Sequence, residues 1–167
     1  MTDWSTVYIG LGSNLAQPQH QLEQALAALA NLPQTRAHTH SPLYASDPMG
    51  PADQPRYVNA VARFDTQLPP LALLDALQQI ENTQGRVRQG ERWGPRTLDL
   101  DLLLFGNQVI QEPRLTVPHY GMAERAFVLY PLADIAPADL TLPDGRTLNA
   151  LLAQCPFVGL EQLAPTR

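Results

Sequence analysis

Asp99 and Asp101 sit two residues apart in the run Leu98-Asp99-Leu100-Asp101-Leu102-Leu103-Leu104-Phe105. On a β-strand, residues two apart point to the same face, with roughly 7 Å between their backbones. Two such carboxylates can converge on one or two hard cations, with about 4 Å between metals in a paired site. The pattern assigns Leu98, Leu100, Leu102 and Leu104 to the opposite face as core anchors. Leu103 and Phe105 continue the aspartate face and make it apolar farther along, where acids need partners. The plainer alternative is a strand with two solvated carboxylates.

Arginines crowd just upstream. The chain contains no lysine, so all eleven of its fixed cations are arginines, and Arg86, Arg88, Arg92 and Arg96 fall within one short window. Guanidinium forks match phosphate oxygens, so this cluster beside an acidic pair fits a polyanion site served by a metal. A solvated loop with ion pairs to Glu81 and Glu91 is the other reading of the cluster. The missing lysine removes the Gly-x-x-x-x-Gly-Lys phosphate loop, the kinase strand lysine and Schiff-base chemistry. Gly94-Pro95 marks a turn, and Trp93 either covers a ligand or packs under the loop.

The elements that must position these residues follow from periodicity. Thr6 to Gly12 reads as a strand closed by glycine, and Pro18 to Leu32 as a helix with Leu22, Ala25, Leu26 and Leu29 on one face. A second extended stretch runs from Thr35 to Ala45, and the proline-rich segment Ser46 to Pro55 is a loop. From Tyr57 to Asp65, alternation sends Val58, Ala60, Ala62 and Phe64 one way, and Tyr57, Asn59, Val61 and Arg63 the other. A helix opens at Pro69-Pro70, with Leu73, Leu74, Leu77 and Ile80 on its core stripe, and Gly85 is a plausible stop. After the arginine loop comes the strand Leu98 to Phe105, and Gly106-Asn107 predicts a hairpin to a short strand around Val109. The order strand-helix-strand-strand-helix-strand is that of a ferredoxin-like α+β fold: an antiparallel β-sheet with flanking helices, expected on one face (a βαββαβ core). Beyond Arg114 only short elements are expected: a helical turn near Met122, a turn at Leu142-Pro143-Asp144-Gly145 and a small helix from Thr147. No linker or repeat divides residues 1–167, so a single domain is expected.

Composition narrows the class. With 167 residues, 44% of them hydrophobic, the chain can bury a substantial core. No apolar run reaches the roughly 20 residues that span a bilayer, and the N-terminus has no signal-peptide pattern. A net charge of −5 argues against a general nucleic-acid binder. The lone Cys155 offers neither an internal disulfide nor a cysteine zinc cluster. A cytoplasmic protein is expected.

The run Arg92-Trp93-Gly94-Pro95-Arg96-Thr97-Leu98-Asp99-Leu100-Asp101 resembles the signature of the 6-hydroxymethyl-7,8-dihydropterin pyrophosphokinase family of folate biosynthesis. Further blocks agree in order and spacing: Gly12-Ser13-Asn14-Leu15, Pro48-Met49-Gly50-Pro51, Gln54 to Asn59, Glu81 to Arg88, and Val117-Pro118-His119-Tyr120. The similarity runs from about Val7 to Pro143. It implies transfer of the β and γ phosphates of ATP to the pterin hydroxymethyl oxygen, with AMP as co-product, by a monomer that engages neither nucleic acid nor membrane. By the same resemblance, Asp99 and Asp101 hold two Mg²⁺ ions. Arg86, Arg96 and Arg125 contact phosphates, Arg86 and Arg96 also acting as catalytic residues on a closing loop. Gln78, Glu81, Arg88, Trp93, Leu102, Arg114, Thr116, His119 and Tyr120 match positions around the nucleotide. Tyr57 and Phe127 match the aromatic pair that sandwiches the pterin, Asn59 the amide that reads its polar edge, and Ser46 and Met49 backbone groups that complete that edge.

Taken without the resemblance, Tyr57 and Phe127 read as ordinary core aromatics. His119 is then either a phosphate ligand or a satisfied buried histidine, and Glu81 either a site residue or a helix-end ion-pair partner. Two rivals arise from the fold alone: a ligand-sensing module without chemistry, and a kinase or nucleotidyltransferase for another substrate. The chain departs from the family's familiar bacterial pattern at Gln89, where a lysine is usual, and at Ser46-Asp47-Pro48-Met49, where a Thr-Pro-Pro-Leu type of sequence is usual.

Overall fold

The computed structural model describes residues 3–14, 17–46, 57–86 and 98–163, with the backbone alone at Gly85 and Arg86. The strands are β1 (Ser5–Ser13), β2 (Thr35–His40), β3 (Tyr44–Ser46), β4 (Tyr57–Thr66), β5 (Leu98–Phe105), β6 (Ile110–Glu112), β7 (Leu115–Val117) and β8 (Leu160–Gln162). The helices are α1 (Pro18–Ala30), α2 (Pro70–Arg86), α3 (Ala126–Ile135) and α4 (Leu148–Ala153). Six strands form one sheet in the order β5-β1-β4-β3-β8, with β2 also paired to β4. Every pairing in it is antiparallel, and the β1-α1-β2/β3-β4-α2-β5 succession is the expected βαββαβ core.

The extended stretch from Thr35 is two strands rather than one, because Ser41-Pro42 interrupts it. Ser41 N–H donates to Val61 O at 2.9 Å, and Val61 N–H donates to the Ser41 hydroxyl at 3.0 Å. The side chain thus keeps the ladder going where the chain bends ahead of a residue with no N–H of its own.

Helices cover both faces of the sheet, where one covered face was expected. The alternation in β4 holds: Val58, Ala60, Ala62 and Phe64 join Val7, Ile9 and Leu11 in a core shared with α1 and α2. On the other face, Tyr8, Val61, Leu103 and Leu104 form a second core with Val128, Leu129 and Leu132 of α3 and Leu148 and Leu151 of α4. That face is too apolar to leave in water, so the region beyond Arg114 supplies its cover.

A register shift in β5 corrects the expected alternation. Ile9 pairs with Leu102 but Tyr8 with Leu104, so Leu103 is an extra residue on β5. A bulge of this kind reverses the facing of the residues beyond it. Leu104 therefore joins the α3 core, and Phe105 joins Leu98, Leu100 and Leu102 on the α1/α2 side.

The hairpin after Gly106 also differs. Gly106 adopts φ 54° and turns the chain, but Val109 is exposed and lies outside any strand. Ile110–Glu112 pairs forward with Leu115–Val117 instead of back with β5. Ile110 and its partner Val117 bury their side chains in the α1/α2 core, which outweighs any gain from lengthening the edge of β5. No helix among the described residues is long and apolar enough to cross a membrane.

Candidate active site

The α3 face of the sheet carries two glycines where side chains would otherwise stand. Gly12 of β1 pairs with Asn59 of β4 on one side and with Asp99 of β5 on the other. Gly10 pairs likewise with Val61 and with Asp101. Directly paired residues point to the same face, so Asn59 and Asp99 flank a floor without a side chain at Gly12, while the Leu103 side chain packs over Gly10. Adjacent strands lie about 4.8 Å apart, which puts the Asn59 and Asp99 backbones about 10 Å from each other. The cleft above this floor is lined by Gly10, Gly12, Tyr57, Asn59, Asp99, Asp101, Leu103, His119, Arg125 and Phe127. A more apolar hollow of about 230 Å³, between α1 and β2, contains none of the predicted site residues.

On the acidic side, Asp99 is exposed and Asp101 half-buried. Burial raises the Asp101 carboxyl above the ordinary aspartate value, with the Asp99 charge adding to the rise while His119 and Arg125 oppose it. His119 Nε2 lies 3.9 Å from Asp101 Oδ2, and Nδ1 accepts the Gly121 N–H at 3.1 Å. Because Nδ1 is an acceptor, the neutral ring carries its proton on Nε2, toward Asp101. Burial lowers the His119 pKa, Asp101 opposes this and Arg125 reinforces it. The His119 N–H donates to Leu103 O at 3.0 Å, so the bulge that redirects β5 also anchors the histidine.

Glu81, on the last turns of α2, is tied to the same strand. Its Oε2 accepts the Leu100 N–H at 2.7 Å, between the two aspartates on the open edge of β5. Burial raises its pKa, the Leu100 N–H holds it down, and the charges of Asp99 and Asp101 push it back up. Three carboxylates thus meet around one stretch of edge strand. Among the described residues, however, no group of three or more His, Cys, Asp or Glu is arranged to hold a metal ion.

Arg125 spreads its guanidinium 5.6 Å from the Tyr120 ring centre and 5.8 Å from that of Phe127. It passes so close to Gly121 that an added Cβ would lie 2.7 Å from Arg125 Cζ. Tyr120 stacks on His119 at 4.7 Å and is largely exposed to solvent. On the β4 side of the floor, Asn59 and Ser46 are buried, and the Ser46 hydroxyl donates to Asn59 Oδ1 at 2.7 Å. That bond directs Nδ2 toward Gly12. Tyr57 and Phe127 stand over the same cleft from β4 and from the first turn of α3.

The remaining predicted residues divide. Arg114 donates to Asp75 Oδ1 at 2.6 Å and to Gln78 Oε1 at 3.1 Å, so it brings Gln78 beside itself outside the cleft. Thr116 is exposed on β7. The Leu102 side chain is buried in the α1/α2 core, which leaves only its backbone for a ligand. Met49, Arg88, Trp93 and Arg96, the side chain of Arg86, and Arg92 and Gln89 lie outside the described residues. Sequence reasoning assigned no ligand-binding role to Gly10, Gly12, Leu103, Tyr44 or Asp134. The Gly10-Leu11-Gly12 spacing was the available signal, since two bare positions on one strand face mark a close approach.

The fold and the site together define a small α+β protein whose open sheet face joins a carboxylate pair to an aromatic and amide pocket. The profile of the 7,8-dihydro-6-hydroxymethylpterin-pyrophosphokinase family matches residues 8–137. A 2-amino-4-hydroxy-6-hydroxymethyldihydropteridine pyrophosphokinase of Pseudomonas aeruginosa is 67% identical over 157 residues, covering 94% of this chain and 96% of that one. One of the same name from Haemophilus influenzae is 56% identical over 149 residues, covering 89% and 92%. Among solved structures, Plasmodium falciparum HPPK-DHPS superposes with a TM-score of 0.67 at 13% identity, over 92% of this chain and 43% of that one, a likeness of fold. The chain belongs to the 7,8-dihydro-6-hydroxymethylpterin-pyrophosphokinase family.

Proposed function

We propose that the cleft over Gly12 is where ATP and 6-hydroxymethyl-7,8-dihydropterin meet, the pterin over Asn59 and the triphosphate over the aspartates. The chain is a pyrophosphokinase of folate biosynthesis, forming the diphosphate of the hydroxymethyl pterin. The observation that carries the placement is the single cross-strand row Asn59–Gly12–Asp99. It sets an amide reader and an acid on one face with open space between them.

In this reading Tyr57 and Phe127 sandwich the flat ring, and Asn59, with backbone groups of Ser46 and Met49, reads its polar edge. Asp99 and Asp101 suit magnesium: both are hard oxygen donors on one face, and a half-buried carboxyl raised by desolvation, with a like-charged neighbour adding to the rise, is one that a dication stabilises. Two Mg²⁺ ions held there would neutralise triphosphate charge. Arg86, Arg96 and Arg125 contact phosphates. Gln78, Arg88, Trp93, Arg114, Thr116, His119 and Tyr120 surround the nucleotide. Leu102 contributes backbone groups on the edge of β5, and Glu81 holds that edge in place. The chain aligns the hydroxymethyl oxygen with the β-phosphorus, the new O–P bond forms as the bond to AMP breaks, and water is kept out. The protein works on these small molecules as a cytoplasmic monomer, and a net charge of −5 does not suit a nucleic-acid partner.

The test is product identity. Incubation with ATP, Mg²⁺ and the hydroxymethyl pterin gives AMP and the pterin diphosphate, separable by anion-exchange chromatography. ADP in place of AMP, or no turnover in a folded sample, overturns the reading.

A further inference from the structure

Ser46 can orient Asn59 only if β3 is held, and β3 is three residues long. Its side chains on the cleft face are Tyr44 and Ser46, paired in register with Asn59 and Tyr57. On its other edge it pairs with β8, Tyr44 opposite Gln162 and Ser46 opposite Leu160. Leu163 N–H then donates to Leu43 O at 2.8 Å, which extends the seam past the strand. Tyr44 itself is buried, and its hydroxyl donates to Asp134 Oδ2, with Gln162 Oε1 3.4 Å away. Asp134 sits on α3 seven residues after Phe127, two helical turns along the same face. One side chain therefore joins the strand that orients the amide, the helix that carries Phe127, and β8.

We propose that Tyr44, anchored by Asp134 and backed by β8, is a positioning residue for the acceptor pocket, holding the Ser46–Asn59 wall and the Phe127 wall at a fixed separation. The inference rests on the proposed placement of the pterin over Asn59. The contacts described for Tyr44 lie on the β4, α3 and β8 side of the pocket, so its effect is expected on the acceptor. Burial and the bond to Asp134 push the tyrosine hydroxyl well above its ordinary pKa, so it remains a donor at every assay pH.

The test is steady-state kinetics of the full-length protein with ATP and 6-hydroxymethyl-7,8-dihydropterin. Tyr44→Phe and Asp134→Ala are each expected to raise the pterin KM about fivefold, the loss of one hydrogen bond, with the ATP KM and kcat within about twofold. Asp134→Asn keeps an acceptor oxygen and is expected to restore a near-normal pterin KM. An unchanged pterin KM in Tyr44→Phe and Asp134→Ala, equal rises for both substrates, or no rescue by Asp134→Asn overturns the proposal. Asn59→Ala in the same assay separates the two levels. If it is pterin-selective and Tyr44→Phe is not, the brace alone fails; if neither is, the acceptor placement fails with it.

Discussion

A Cβ on Gly12 would stand 3.0 Å from Nδ2 of Asn59 and 3.9 Å from Cδ1 of Tyr57. The first distance is too short for the amide to stay in place. Gly12 is thus a spatial requirement of the pocket, independent of backbone conformation. Gly12→Ala should displace Asn59 from its bond with Ser46, an overpacking cost of about 1–3 kcal/mol. Roughly a tenfold rise in the pterin KM is expected, with the ATP KM little changed. A fall in thermal stability with equal losses for both substrates would instead point to sheet damage.

The aspartates make a separate prediction. Asp99 is exposed and Asp101 half-buried, so neither carries much of the fold. Asp99→Asn and Asp101→Asn should each lower kcat by about a hundredfold or more while circular dichroism is unchanged. Chelation with EDTA should abolish turnover, and added Mg²⁺ should restore it. Near-normal activity in either variant would remove that residue from the metal site.

Glu81 combines a favourable bond with unfavourable neighbours. Its carboxylate satisfies the Leu100 N–H on an open strand edge, yet it faces the charges of Asp99 and Asp101. Glu81→Ala leaves that amide unpaired and should cost about 1–3 kcal/mol in urea unfolding. Glu81→Gln retains an acceptor oxygen and sheds the repulsion, so its stability should match or exceed that of the parent. A Gln variant as unstable as the Ala variant would show that the charge itself matters.

Leu103 is the extra residue of the β5 bulge and is almost wholly buried. Its methyl groups fill the space over Gly10, where an added Cβ would lie 3.3 Å from Leu103 Cδ2. Leu103→Ala should destabilise the protein by about 2–5 kcal/mol, visible as a lower thermal midpoint. Because the Leu103 carbonyl anchors His119 through the backbone, the histidine contact should survive. An NMR shift of the His119 ring comparable to that in a direct neighbour's variant would argue otherwise.

Features set by the local period of a strand or helix can be read directly along the chain. Asp99 with Asp101, Tyr57 with Asn59, and the leucine stripe of α2 were all legible, because side-chain direction repeats every two residues on a strand and every 3.6 on a helix. The βαββαβ succession came from the same periods. Tertiary structure alone decided matters of register and long-range contact. The bulge at Leu103 reversed Leu104 and Phe105, and a one-residue slip of pairing leaves no mark in a run of leucines. The row Asn59–Gly12–Asp99 joins three strands far apart in sequence. Tyr44 meets Asp134 ninety positions away, and β8 closes an edge that its own sequence does not announce. Gly12 was visible from the outset as a residue type, but its role became readable only when the sheet placed an amide on one side of it and a carboxylate on the other.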